Sequence, residues 1–165
     1  ISGVVTDTSE SKVTVLGVPD RPGISAALFE PLAAANINVD MIVQNTSTDG
    51  STDISFTMPS SDLGVAEDIV SQVADEIGAR GVTRDDAIGK VSLVGAGMKS
   101  SPGIAAKMFR VLADEGINIE MISTSTIRVS VVMASSDVER AARTLHTAFD
   151  LDSGAEYTAP LPERR

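Results

Sequence analysis

The sequence predicts an α+β protein made of two copies of one small β-α-β-β-α-β unit, with the first copy inserted into the second. Three observations carry this. First, residues 12–45 read KVTVLGVPDRPGISAALFEPLAAANINVDMIVQN, and residues 90–125 read KVSLVGAGMKSSPGIAAKMFRVLADEGINIEMISTS. From the Pro-Gly onward about half of the aligned positions are identical, and an offset of about 80 residues suits two tandem small domains rather than a solenoid. Second, within each copy the apolar period switches between that of a strand and that of a helix in the order of the split βαβ, or ferredoxin-like, plan. Third, residues 1–8 form an orphan β-like segment, while the C-terminal LDSGAEYTAPLPERR is a poor strand candidate. The expected domains are therefore residues 12–86 and 87–155, with the fourth strand of the second supplied by residues 1–8.

Each element has a local reason. Val13 to Val18 is a β-branched run ended by Pro19-Asp20-Arg21-Pro22-Gly23, a strand running into a loop. Ile24, Ala27, Leu28, Phe29 and Leu32 recur at helical spacing, predicting a helix from Ile24 to Ala35 in which Pro31 removes an amide. Ile37, Val39, Met41 and Val43 alternate with Asn38, Asp40 and Gln44, so 37–45 reads as a half-buried strand. Asp49-Gly50 signals a hairpin into a return strand from Asp53 to Met58. The segment 59–62 predicts a turn and an N-cap. Leu63 to Ile77 places Leu63, Ala66, Ile69, Val70, Val73 and Ile77 on one helical face. Val82 to Asp86 is a weak final strand. The second copy predicts a strand over 91–96, a loop over 97–101 and a helix over 103–115. Strands over 118–123 and 127–134 follow, then a helix over 137–149.

Composition narrows the function classes. The net charge is −10, which disfavours nucleic acid and anionic membrane as partners, because both require clustered Lys and Arg. The chain has no cysteine, which excludes disulfides and thiol nucleophiles and fits a reducing cytoplasm. No apolar run reaches the roughly 20 residues of a membrane span. The opening ISGVVTDTSE lacks the basic and apolar regions of a signal peptide. It starts at Ile1 without an initiator methionine, as expected of a regulatory piece of a longer protein or of a trimmed chain. Aromatics make up only 3% of the residues, so the cores must be aliphatic. Units this small leave sheet edges open, and a homodimer is expected to cover them.

A duplicated small fold with no duplicated catalytic group points to a sensor rather than an enzyme, and the strand-to-helix loops carry its candidate groups. Amides at the start of the Gly23 helix lack intrahelical partners and face the positive end of the helix dipole. Pro22 presets the turn and Gly23 admits a close backbone approach. Asp20 offers a negative charge, and Asn38 offers both donors and an acceptor. Gln44 falls on the same side of its strand as Asn38 by period two. Each feature also has a plain structural reading: Pro-Gly as a helix start, Asn as a backbone cap, Asp20 as a turn residue. His146, the only histidine, has no carboxylate or second histidine at ligand spacing on its helix, so neither a metal nor acid–base use is expected. GAGMKSSPG lacks the spacing of a phosphate loop. Asp85-Asp86 reads as a solvated loop, and Met41, Met108 and Met121 as core filler. There is no nucleophile–base pair, so no catalytic residue and no cofactor is expected.

The strings KVTVLGVPDRPG, NINVDMIVQN, KVSLVGAGMKSSPG and NIEMISTS resemble the ACT domains in the regulatory region of aspartate kinases, including the separately made β subunit of the actinobacterial α2β2 enzyme. The likeness runs from ISGVVTD to the helix at His146. It implies a regulatory subunit without a kinase domain. It also implies threonine as effector between ACT domains, with lysine in concert, and feedback inhibition of a catalytic α subunit. In that family Asp20, Arg21, Pro22, Gly23, Ile24, Ser25, Ala26, Asn38 and Gln44 correspond to effector contacts. Lys99, Ser100, Ile104, Ala105 and Asn118 correspond to contacts from the second domain. Thr124 and Ser125 stand where the family reads Ser-Thr-Ser-Glu, the glutamate being Thr126 here. The competing reading is a paired ACT sensor for serine or a branched-chain amino acid.

Overall fold

The computed structural model describes residues 1–45, 49–96 and 102–153. The chain divides into two compact units. One spans Ser9–Ala87, and the other joins Ile1–Thr8 to the chain from Ile88 onward.

In the Ser9–Ala87 unit the order is β2 (Glu10–Pro19), α1 (Ile24–Ala34), β3 (Ile42–Gln44), β4 (Ser51–Pro59), α2 (Leu63–Ile77) and β5 (Gly81–Asp85). The sheet order is β3-β4-β2-β5, antiparallel throughout. Alternation along β2 and β4 registers Val13 with Phe56 and Val15 with Ile54. All four side chains are fully buried with Leu28 and Leu32 of α1 and Ala66 and Val70 of α2. Phe29 packs edge-on against Phe56, with ring centroids 5.4 Å apart, a favoured aromatic geometry that helps a core with few rings.

The other unit runs β1 (Gly3–Asp7), β6 (Ile88–Val94), α3 (Gly103–Asp114), β7 (Met121–Thr124), β8 (Arg128–Ala134) and α4 (Val138–Ala148). Its sheet order is β1-β6-β8-β7. β1 pairs with β6 from Gly3↔Val94 to Asp7↔Lys90, the place that β5 takes beside β2 in the other unit. The fourth strand thus comes from the N-terminal segment, and the first ferredoxin-like unit is an insertion into the second. Val91, Leu93, Met108, Leu112, Val131, Leu145 and Phe149 form its core.

Helix ends follow the repeat. After α1, Asn36 adopts φ 59°, its N–H donates to Ala33 O, and the Ile37 N–H donates to Leu32 O at 3.0 Å. After α3, Gly116 at φ 70° and Ile117 repeat both bonds to Ala113 and Leu112. This is a left-handed closure in which Asn replaces Gly at its usual cost in strain. Pro31 is accommodated within α1, which runs on to Ala34.

Three expectations need correction. The strand expected over 37–45 is regular only from Ile42, because at Met41 the amide N–H donates to Thr57 Oγ1 (3.0 Å), a side chain in place of a ladder carbonyl. The strand expected over 118–123 likewise begins only at Met121. The N-cap expected within 59–62 falls at Asp62, but it makes no side-chain cap bond. Ser60–Asp62 forms a 3-10 turn leading into the helix, and the Leu63 N–H is taken by Ser60 O. The loop expected over 97–101, and the hairpin tip at 46–48, lie outside the described residues. Met108 lies in the core as expected; Met41 and Met121 are buried without joining either core cluster.

Candidate functional site

The candidate loop of the first repeat is set by an irregularity in β2. Register with β4 shifts between Val15 and Val18, and Gly17 inside the shift has φ +61°. Its N–H donates to Asp53 Oδ1 at 2.9 Å. The strand is thereby bent where it enters the loop, as β-bulges do. Beyond it the Asp20 N–H donates to Gly50 O (3.1 Å), and the Arg21 N–H donates to Pro19 O (3.2 Å).

Gly23 caps α1 with φ +91° and no side-chain cap. A Cβ added there would meet nothing within 4 Å, so the left-handed backbone, rather than crowding, explains the glycine. Pro22 precedes this cap instead of occupying the first helical position. The N–H groups of Ser25 and Ala26, in the first turn, have no carbonyl one turn earlier in the helix. Asp20, Arg21, Pro22, Gly23, Ser25 and Ala26 are all exposed, whereas Ile24 is buried and leaves only its main chain to a ligand.

Gln44 closes one side of this surface. It pairs with Ile54 at the end of β3, and Ser25 Oγ donates to its Oε1 at 3.4 Å. Residues 19 positions apart are thus brought together at the mouth of α1. Asn38 is exposed, and its side chain hydrogen-bonds to none of the described residues. The arrangement offers backbone donors at a helix start, a carboxylate at Asp20 and two carboxamides, a donor and acceptor set suited to a small zwitterion.

The second repeat differs. α3 begins at Gly103 with Pro102 as its cap, and Gly103 does not take positive φ, so the two Pro-Gly corners are built differently. Ile104 is buried, Ala105 half-buried and Asn118 exposed. Lys99 and Ser100 fall outside the described residues. Thr124 is exposed at the end of β7. Ser125 shapes the hairpin: its N–H donates to Arg128 O at 2.8 Å, and its Oγ accepts from the Ile127 N–H at 3.3 Å. Thr126 is exposed on that hairpin.

Four residues at or near the first loop were not anticipated: Asp53 and Arg80 at Gly17, Thr57 at Met41, and Thr52, whose Oγ1 donates to Asn45 O at 2.7 Å. Only Gly17, a glycine interrupting a β-branched run, carried a readable signal of a bulge.

His146 also departs from expectation, because it does have a carboxylate partner. Asp150, at φ 58°, reverses the chain after α4 and returns Asp152 to the helix. His146 Nδ1 lies 2.5 Å from Asp152 Oδ1, and Thr147 Oγ1 donates to Asp152 Oδ2 at 2.8 Å. Val4 and Arg143 share the adjoining open cavity of about 410 Å³. The two contacts tie the segment after α4 back to the end of that helix, so the pair acts as a brace. The Thr147 hydroxyl first, and His146 second, hold the Asp152 carboxyl below the usual carboxylate range. A lowered folded-state pKa contributes stability that is present above the unfolded value of about 3.9 and is lost as pH falls through the folded value. Asp152→Asn is therefore expected to lower Tm at pH 7, with the difference from wild type closing as pH drops below 4. A difference that persists unchanged at pH 2 would remove the carboxylate from this role.

Two ACT domains in tandem is the class of protein this fold defines: ACT domain families match residues 12–78 and residues 91–149. An aspartate kinase of Pseudomonas fluorescens is 52% identical over 155 residues, covering 94% of this chain, and an aspartokinase of Corynebacterium glutamicum is 51% identical, covering 92%. The chain spans 38% and 36% of those two proteins. Two solved structures match along nearly their whole length. A chain from a crystal structure of aspartokinase alpha and beta subunits is 48% identical with a TM-score of 0.87, covering 92% of this chain and 99% of that one. The ligand-free regulatory subunit of Thermus thermophilus aspartate kinase is 38% identical with a TM-score of 0.86, covering 90% and 98%. The chain belongs to the aspartate kinase family as its regulatory, tandem-ACT part. Among the described residues no helix is long and apolar enough to cross a membrane.

Proposed function

We propose that this chain is the effector-sensing part of a cytoplasmic aspartate kinase. Threonine, with lysine in concert, binds at the first repeat and favours an inactive arrangement of a catalytic subunit, restraining the first step toward lysine, threonine and methionine. The observation that carries the reading is the exposed corner at the start of α1. There Asp20, the amides of Ser25 and Ala26, and the Ser25–Gln44 pair stand together beside a left-handed glycine. Asp20 takes the ammonium and the helix amides take the carboxylate; Asn38 and Gln44 contact the ligand's polar groups. The second repeat lacks an acid at the matching position. It is assigned a supporting role, with Lys99, Ser100, Ile104, Ala105, Asn118, Thr124 and Ser125 closing the pocket of a second copy.

The sheet edges support assembly as a homodimer. β3 and β7 each pair on one side only among the described residues. At matched positions they expose Ile42 (54%) and Ile122 (46%), an apolar edge of the kind that draws another strand or chain.

The test is a thermal-shift panel of the twenty amino acids on this chain, with sedimentation run with and without the best ligand. Threonine at 100 times its dissociation constant is expected to add about 2.7 kcal/mol of stability, with the chain sedimenting as a dimer. A larger shift with serine or a branched-chain residue would favour a sensor of another pathway. No shift with any amino acid would overturn the proposal.

A further inference from the structure

We propose that Arg80 and Asp53 are positioning residues for the effector loop, clasping Gly17 from two sides and so tying that loop to the junction between α2 and β5. The inference rests on the reading that the loop after β2 takes the effector.

The geometry begins with the bulge. Gly17 lies two residues before Pro19, and its positive φ turns its N–H toward Asp53 Oδ1 on the neighbouring strand. An acceptor with a full charge makes this a strong bond for a backbone amide that the shifted ladder has left without a carbonyl. Over the same residue lies the side chain of Arg80. A Cβ built on Gly17 would fall 2.7 Å from Arg80 Cγ and 3.0 Å from its Cδ, so the stem of the arginine fills the place that any other residue would need. Arg80 is brought there by its own backbone. Gly78 ends α2 at φ 76°, and the Arg80 N–H then donates to Leu16 O at 2.8 Å, one residue before the bulge.

Asp20 follows Gly17 by three residues, and its N–H is pinned to Gly50 O at 3.1 Å. The second repeat is built otherwise. At the matching glycine, Gly95, an added Cβ would instead meet the Ile1 backbone at 3.0 Å, and the Gly95 N–H donates to the Ile127 carbonyl. Among the described residues the clasp belongs to the first repeat alone, the repeat that carries the acidic loop.

The test uses Arg80→Ala, Arg80→Lys, Asp53→Ala and Asp53→Asn in the full chain, with residue-level hydrogen exchange of the ligand-free protein and calorimetric titration of threonine. Arg80→Ala and Asp53→Ala are each expected to speed exchange at Gly17 and Asp20 and to weaken threonine binding, both by about tenfold. Core amides such as Val13 and Phe56 should keep their protection. Arg80→Lys, which keeps the stem, and Asp53→Asn, which keeps an acceptor oxygen, should restore most of both effects. Loop exchange unchanged in both alanine variants would overturn the inference. So would core exchange rising in step with the loop, which would mark a purely structural role. Should the wild-type chain bind no threonine, the proposed function fails, and the exchange measurement alone still decides the clasp.

Discussion

Phe56→Ala lowers the stability of the Ser9–Ala87 unit by about 3 to 5 kcal/mol, the range for emptying a fully buried aromatic site. Phe56 is 0% exposed, faces Val13 across β2 and receives the edge of Phe29, so its removal leaves a cavity bounded by a sheet and a helix. A small domain holds about 5 to 15 kcal/mol in all, and losing several leaves this unit partly unfolded at physiological temperature. Calorimetry is expected to show an early transition for this unit. The loss carries to the site, because Phe56 pairs with Ile42 on the strand that ends at Gln44. A single unchanged transition would mean that the core tolerates the cavity.

Asp20→Ala and Asn38→Ala are expected to abolish the threonine response without loss of fold. Each side chain is exposed and neither is part of a core, so melting in the absence of ligand should move little. In the complex each substitution leaves a charged or polar group of the ligand without its partner, at about 1 to 3 kcal/mol apiece, or roughly five- to 150-fold in affinity. Asp20→Asn should weaken binding more than Lys99→Ala, because the acid acts within the primary pocket. Calorimetry giving unchanged affinity for both alanine variants would move the site elsewhere.

What could be read in advance follows from the range of the interactions. α2 runs from Leu63 to Ile77 as its apolar stripe indicates, because periodicity reports directly on which face is buried. Pairing of the N-terminal segment with β6 was legible by elimination: an orphan strand at one end and a missing one at the other. Asn38, Asp20 and Gln44 stand as candidates on chemistry alone, since an amino-acid receptor needs such groups. The contacts that shape the first loop were not legible. The Gly17–Asp53 bond joins residues 36 positions apart, and Arg80 reaches Gly17 from the far side of a helix. Neither has a local pattern. The brace at His146 was missed for the same reason, since it depends on a left-handed residue at Asp150 that spacing along a helix does not foresee.

The insertion has a consequence for the order in which the chain folds. β1 precedes the inserted unit in the chain, yet its partner β6 is made only after the whole of that unit. Closing a flexible loop of about 80 residues would cost about 2 kcal/mol more than closing one of a few residues. The inserted unit removes that difference once it has folded, because β2 and β5 lie side by side with Lys12 opposite Asp85. Its entry and exit are thereby neighbours, and Asp7 and Lys90 are delivered to each other. Closure of the outer half is accordingly favoured once the half that carries the candidate pocket has consolidated.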